Sequence, residues 1–73
     1  MPRLPRVTAK QMISVLEKHG FVLSRQSGSH MIYIKGGKRI TIPFHGAVIL
    51  HPKIIKNILR DAEISVEVFL KEI

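Results

Sequence analysis

Cysteine is absent from this 73-residue chain. That removes a disulfide framework, a thiolate nucleophile and a Cys-ligated zinc, so the fold must stand on packing or on a partner, and a reducing compartment is expected. Long apolar runs are also missing. The longest, Gly46 to Leu50, falls far short of the roughly 20 residues a membrane-crossing helix needs. The N-terminus has no apolar signal core, so the expected location is the cytoplasm. Negative charge is scarce as well. The first 60 residues hold one acid, Glu17, while Asp61, Glu63, Glu67 and Glu72 crowd the C-terminal end. There is no internal repeat and no low-complexity tract.

Twelve Lys and Arg against five acids give a net charge of +7. That balance points to a polyanion, nucleic acid first, or to an acidic protein partner. Apolar residues make up 45% of the chain and charged ones 23%, a globular rather than a disordered composition. The length fits a single domain over residues 1–73, with residues 1–6 as a flexible basic arm. A chain this short buries only about 60% of its unfolded surface, which makes for a small core.

Thr8-Ala9-Lys10-Gln11 reads as a capping box, flanked by Val7 and Met12 as a hydrophobic staple. Met12, Ile13, Val15 and Leu16 then repeat with helical spacing, and Gly20 supplies the left-handed residue that stops the helix, giving a first helix over about Ala9 to His19. Phe21 to Gln26 reads as a strand, Ser27-Gly28-Ser29 as a tight connection, and His30 to Lys35 as a second strand. Gly36-Gly37 is a two-residue hairpin signal, and Arg39 to Pro43 alternates Ile40 and Ile42 with Arg39 and Thr41. Phe44 to His51 reads as a loop. Pro52 opens a second helix to about Asp61, with Ile55, Ile58 and Leu59 on one face. Ser65 caps a last short helix carrying Val66, Phe69, Leu70 and Ile73, with Glu67 at the favourable end of its dipole.

The expected fold is therefore α+β: a three-stranded antiparallel sheet with helices packed on one face, in the order αβββα, plus an extra short C-terminal helix. This order also describes the double-stranded-RNA-binding fold, an architectural analogy.

Among the four histidines, His19 sits in the last turn of the first helix, where an imidazole complements the negative helix end, a structural role. His51 precedes Pro52 as an exposed loop residue. His45, in PFHG, follows the third strand and can reach the sheet end where the first hairpin turns. His45 and His51 are six apart, but no carboxylate or cysteine accompanies them, so no metal site is expected. His30 follows Ser-Gly-Ser, a segment that lets backbone approach a ligand and offers N–H groups and hydroxyls to a phosphate. Parity along its strand puts His30 on the side of Ile32 and Ile34, taken as the face the helices cover, so the expectation is a half-buried imidazole at the sheet margin.

These stretches resemble the HicA toxins of bacterial toxin–antitoxin pairs. The resemblance runs over nearly the whole chain: a first helix ending in LEKHGF, then RQSGSH, ITIPFHG, and LHPKIIKNILRDAEIS. Gly28-Ser29-His30 matches the family's G-S-H motif. Ile49 stands where the family often has Glu, Lys53 and Ile54 replace a Gly-Thr, and Glu63 replaces a Gly. The resemblance implies a double-stranded-RNA-binding-like fold, metal-free ribonuclease activity on mRNA with no cofactor, neutralisation by a HicB antitoxin, and catalysis by His30.

Metal-free RNA cleavage can use the substrate's own 2′-hydroxyl as nucleophile, leaving the protein to move protons and stabilise charge on the phosphate. His30 suits the proton work, with Gly28, Ser29 and His45 in support. Arg25, Lys35, Lys38 and Arg39, on the strands and hairpin around His30, are the expected phosphate ligands. Tyr33 can stack on a base but fits cross-strand packing better. The rival reading is a non-catalytic double-stranded-RNA-binding module that uses the same basic surface. A DNA-binding domain is the weaker third, since no helix-turn-helix spacing appears.

Overall fold

The computed structural model describes residues 4–44 and 49–73; His45 and residues 1–3 of the expected basic arm lie outside them. The elements follow as β1 (Val7–Thr8), α1 (Ala9–Lys18), β2 (Val22–Ser27), β3 (His30–Lys35), β4 (Lys38–Pro43), β5 (Ile49–Leu50), α2 (Pro52–Ala62) and α3 (Val66–Glu72). This is the α+β, αβββα arrangement with an added C-terminal helix. The expected loop is one departure. The segment Phe44 to His51 is not loop throughout, because Ile49 and Leu50 pair antiparallel with Thr8 and Val7. A bridge of two residues has no local pattern; it exists because Val7 and Leu50 are both drawn into the core.

Helix α1 starts on the reciprocal cap. The Gln11 N–H donates to Thr8 Oγ1 at 3.2 Å and the Thr8 N–H donates to Gln11 Oε1 at 2.9 Å, satisfying two donors that a helix start leaves orphaned. Its end is a Schellman motif: Gly20 at φ +90° donates to the Glu17 carbonyl, and the Phe21 N–H reaches back to that of Leu16. The same motif closes α2, where the Glu63 N–H donates to the Arg60 carbonyl and the Ile64 N–H to that of Leu59. There the left-handed residue is Glu63 itself, at φ 58°, a conformation that costs a residue with a Cβ roughly 1–2 kcal/mol. In both motifs the following residue, Phe21 or Ile64, is buried, which supplies the hydrophobic contact that holds the turn.

The main sheet has the order β2-β3-β4, all antiparallel. The Gly36-Gly37 turn sets Lys35 opposite Lys38, and from there Tyr33 faces Ile40 and Met31 faces Ile42. Those four residues belong to the helix-covered face. Tyr33, Ile40 and Ile42 join Met12, Val15 and Leu16 of α1, Ile55, Ile58 and Leu59 of α2, and Phe69 of α3 in one core, with Met31 packed at its margin. Full burial of each such side chain stabilises the fold by roughly 1.5–3 kcal/mol. Helix α3 is held by more than Phe69: Glu72 Oε1 meets His19 Nε2, and Lys18 Nζ donates to the Glu72 carbonyl at 3.2 Å.

The expected facing of His30 is therefore reversed. Strand side chains alternate, so with Met31 and Tyr33 turned to the helices, His30, Ile32 and Ile34 turn to the open face. His30 is exposed rather than half-buried.

Candidate functional site

The open face is built by β2, β3 and β4. His30 opens β3, directly after the Gly28-Ser29 turn, and its backbone neighbours are Ser27 on one side and Pro43 on the other. Gly28 adopts φ 58°, which glycine enters without a Cβ penalty and which lets β2 reverse into β3 in two residues. A Cβ at Gly28 would meet nothing within 4 Å, so it is backbone conformation rather than crowding that asks for glycine. Ser29 has a defined part: its carbonyl accepts the Phe44 N–H at 2.6 Å, which ties the exit of β4 to the turn that precedes His30. Gln26 Nε2 donates to the Gly28 carbonyl at 3.2 Å and braces the same turn.

Beyond His30 the face continues over Ile32 and Ile34. A β-bulge between Leu23 and Arg25 adds one residue to β2. In a regular strand only one of Ser24 and Arg25 would face this way; here both do. Together with Ile32, Ile34 and Arg39 they line a depression of ≈ 410 Å³. Neither arginine has a carboxylate partner among the described residues. Residues 22–43 hold no acid at all, so the formal charges on this face, Arg25 and Arg39, are of one sign.

The four expected phosphate ligands divide into two pairs. Arg25 and Arg39 lie on the open face with His30. Lys35 and Lys38 do not surround it; they sit at the far end of the hairpin, roughly 16 Å along the strand at about 3.3 Å per residue, and each is otherwise engaged. Lys38 Nζ pairs with Glu63 at 3.0 Å. Lys35 lies over the Phe21 ring, its Nζ 5.8 Å from the centroid, a cation–π contact.

Three other side chains are placed plainly. His19 caps α1 and meets Glu72. His51 is the N-cap of α2, its Nδ1 accepting the Lys53 N–H at 3.0 Å, so it does a cap's work although histidine is not a favoured cap. Tyr33 is a core residue, 2% exposed; burial first, and the Glu17 carboxylate second, raise its phenol above the ordinary 10.0. Among the described residues no group of three His, Asp or Glu side chains is placed to hold a metal ion. The reading of the residues missed Ser24 and the apolar floor of Ile32 and Ile34. The floor was available through the register of the Gly36-Gly37 hairpin, but the bulge carries no local sequence signal.

Among the described residues, the uncovered sheet face carries an exposed imidazole, guanidinium groups without a carboxylate partner and no acid, which defines a class of small α+β protein with a cationic open face. The comparisons narrow that class. The family described as HicA toxin of bacterial toxin–antitoxin matches residues 9–64. That span covers most of the chain, and the protein belongs to this family; it is therefore the toxin side of such a pair, with an RNA-cleaving role in general terms. No curated protein matches the chain.

Proposed function

We propose that the protein is a metal-independent endoribonuclease that cleaves mRNA through the substrate's 2′-hydroxyl, with His30 as a general acid or base. The 2′-oxygen attacks the adjacent phosphorus and its proton passes to a base. The bond from phosphorus to the 5′-oxygen breaks, and that oxygen takes a proton from an acid. The products are a 2′,3′-cyclic phosphate and a 5′-hydroxyl. The observation that carries this reading is the exposure of His30 on an acid-free cationic face, where an imidazole can meet a phosphodiester directly and pass a proton to or from it. Gly28 and Ser29 fix the turn from which it projects. Arg25 and Arg39 bind phosphates of the strand beside the one that is cut, with Lys35 and Lys38 adding long-range attraction from the far end of the sheet. The second proton-transfer group in this reading is His45, two residues after the Pro43 that pairs with His30.

An antitoxin of the HicB type is the proposed neutralising partner. It would block the activity by covering the open face with acidic groups, since His30, Arg25 and Arg39 all lie there.

The test is cleavage of a single-stranded RNA by the purified protein with chelator present. The expected result is a shortened strand ending in a cyclic phosphate, with no cutting of the same strand once its sugars are 2′-deoxy. Cleavage of the deoxy strand at a comparable rate rules out the 2′-hydroxyl mechanism, and RNA bound but never shortened makes the protein a binding module instead.

A further inference from the structure

The depression beside His30 combines features that the cleavage reaction itself does not require. Its floor is apolar, formed by Ile34, 37% exposed, which offers most of the free surface, and by Ile32, 7% exposed. Its rim is cationic, Arg25 on β2 and Arg39 on β4, on opposite sides of β3. The bulge adds the Ser24 hydroxyl. We infer that this depression is a subsite for one unpaired nucleotide of the RNA, its base lying on Ile32 and Ile34 and its flanking phosphates held by Arg25 and Arg39. The inference rests on the ribonuclease reading above and specifies which form of RNA that site takes.

Three observations select this occupant. A duplex shows a protein mainly phosphates and sugar hydroxyls, and its bases are stacked away. It would match the rim but leave the isoleucine floor against polar backbone. An unpaired base has a flat apolar face for that floor and polar edges that the Ser24 hydroxyl can meet. The size also fits, since ≈ 410 Å³ falls in the range of pockets that hold one small ligand, about 300–1,000 Å³. Position is the third. His30, Ile32 and Ile34 share one face of one strand, so the floor begins roughly 7 Å from the imidazole and extends to roughly 13 Å. An RNA strand running along β3 would place one phosphate at His30 and the neighbouring nucleotide in the depression. The bulge is what makes the rim: it turns Arg25 inward beside Ser24, where a regular strand would present one of the two.

The arrangement has a kinetic consequence. Arg25 and Arg39 act on binding of the neighbouring nucleotide more than on the bond that breaks, so removing them raises KM and leaves kcat close to its original value. The double variant R25Q/R39Q is expected to raise KM for a short single-stranded RNA by about tenfold or more, with kcat changed by less than about twofold. The charge-matched pair K10Q/K71Q, which removes two cations from helices α1 and α3, is expected to raise KM by less than about threefold, as screened long-range attraction would. A second readout is the methyl NMR spectrum of His30→Ala protein titrated with the same RNA. The Ile32 and Ile34 methyl signals should shift, and the same strand annealed to its complement should not move them.

Equal KM increases in the two charge-matched pairs would overturn the subsite, because charge alone would then explain the effect. Silent Ile32 and Ile34 methyls at RNA concentrations that saturate binding would overturn it too, as would methyls that respond to the antitoxin protein and not to RNA. These outcomes separate from failure of the ribonuclease reading, in which wild-type protein shortens no RNA, or His30→Ala cuts as well as wild type, whatever the methyls report.

Discussion

Along β4, Ile40 and Ile42 face the helices and are 2% and 0% exposed, while Arg39 and Thr41 face solvent. The paired strand β3 repeats the division, with Met31 and Tyr33 inward and His30, Ile32 and Ile34 outward. One sheet thus carries the main core on one surface and its proposed chemistry on the other, interleaved residue by residue, with Ile32 the one buried apolar residue of the outward set on β3. Because the period is two, a substitution at one position touches a single role, and its neighbour touches the other.

That separation can be broken in order of effect. His30→Ala should lower RNA cleavage by roughly 10²–10⁴ while unfolding free energy moves by no more than about 0.5 kcal/mol, measured by a cleavage time course beside urea denaturation. A large loss of stability would show that His30 is a structural residue after all. Ile42→Ala does the converse: a fully buried side chain is removed at a cost of about 2–5 kcal/mol, with cleavage per folded molecule retained. Thr41→Ala, one position away on the exposed side, should change stability by less than about 0.5 kcal/mol, and denaturant midpoints for the two variants give the contrast directly.

The two Schellman ends make a smaller test of the same kind. Gly20→Ala places a Cβ at φ +90° and 3.5 Å from Lys35 Cε, and should destabilise by about 1 kcal/mol. Glu63→Gly should stabilise by roughly 0.5–1 kcal/mol, since it relieves a left-handed residue and gives up only an exposed pair with Lys38. Thermal midpoints moving in opposite directions are the expected result; movement in the same direction would show that the Lys38 contact outweighs backbone preference at Glu63.

The smallest effect appears only in alkali. The Tyr33 phenol lies above 10.0 in the folded protein through burial and then through Glu17, so the folded state prefers the neutral form. Stability is therefore complete below pH 10 and is lost as pH climbs through the raised value. Tyr33→Phe should remove that part of the dependence, read by denaturant unfolding at a series of pH values. Glu17→Gln should bring the phenolate absorbance transition back toward 10.0.

The capping box, the helix ends at Gly20 and Pro52, the Gly36-Gly37 hairpin and the alternation along β4 were all legible, because each depends on residues close in sequence. The face of His30 was misread for a definite reason. Met31, Ile32, Tyr33 and Ile34 are all apolar, so β3 has no alternation of its own. The answer lay one strand away: the hairpin turn fixes Lys35 against Lys38, which sets Tyr33 against the inward Ile40. The same register would have removed Lys35 and Lys38 from the surroundings of His30. Neither the bulge at Ser24 nor the β1–β5 bridge follows from local pattern, since both are set by what packs across from them. His45 lies outside the described residues and keeps only its place in the sequence.

The family match ends at residue 64, yet Phe69 of α3 is 0% exposed in the shared core. The interior of the fold therefore reaches past the matched span. Trimming the chain to residues 9–64 would take an aromatic ring out of the interior and free His19 and Lys18 from their attachment to Glu72. A helix of seven residues at the chain's margin is, by mechanics, a keystone.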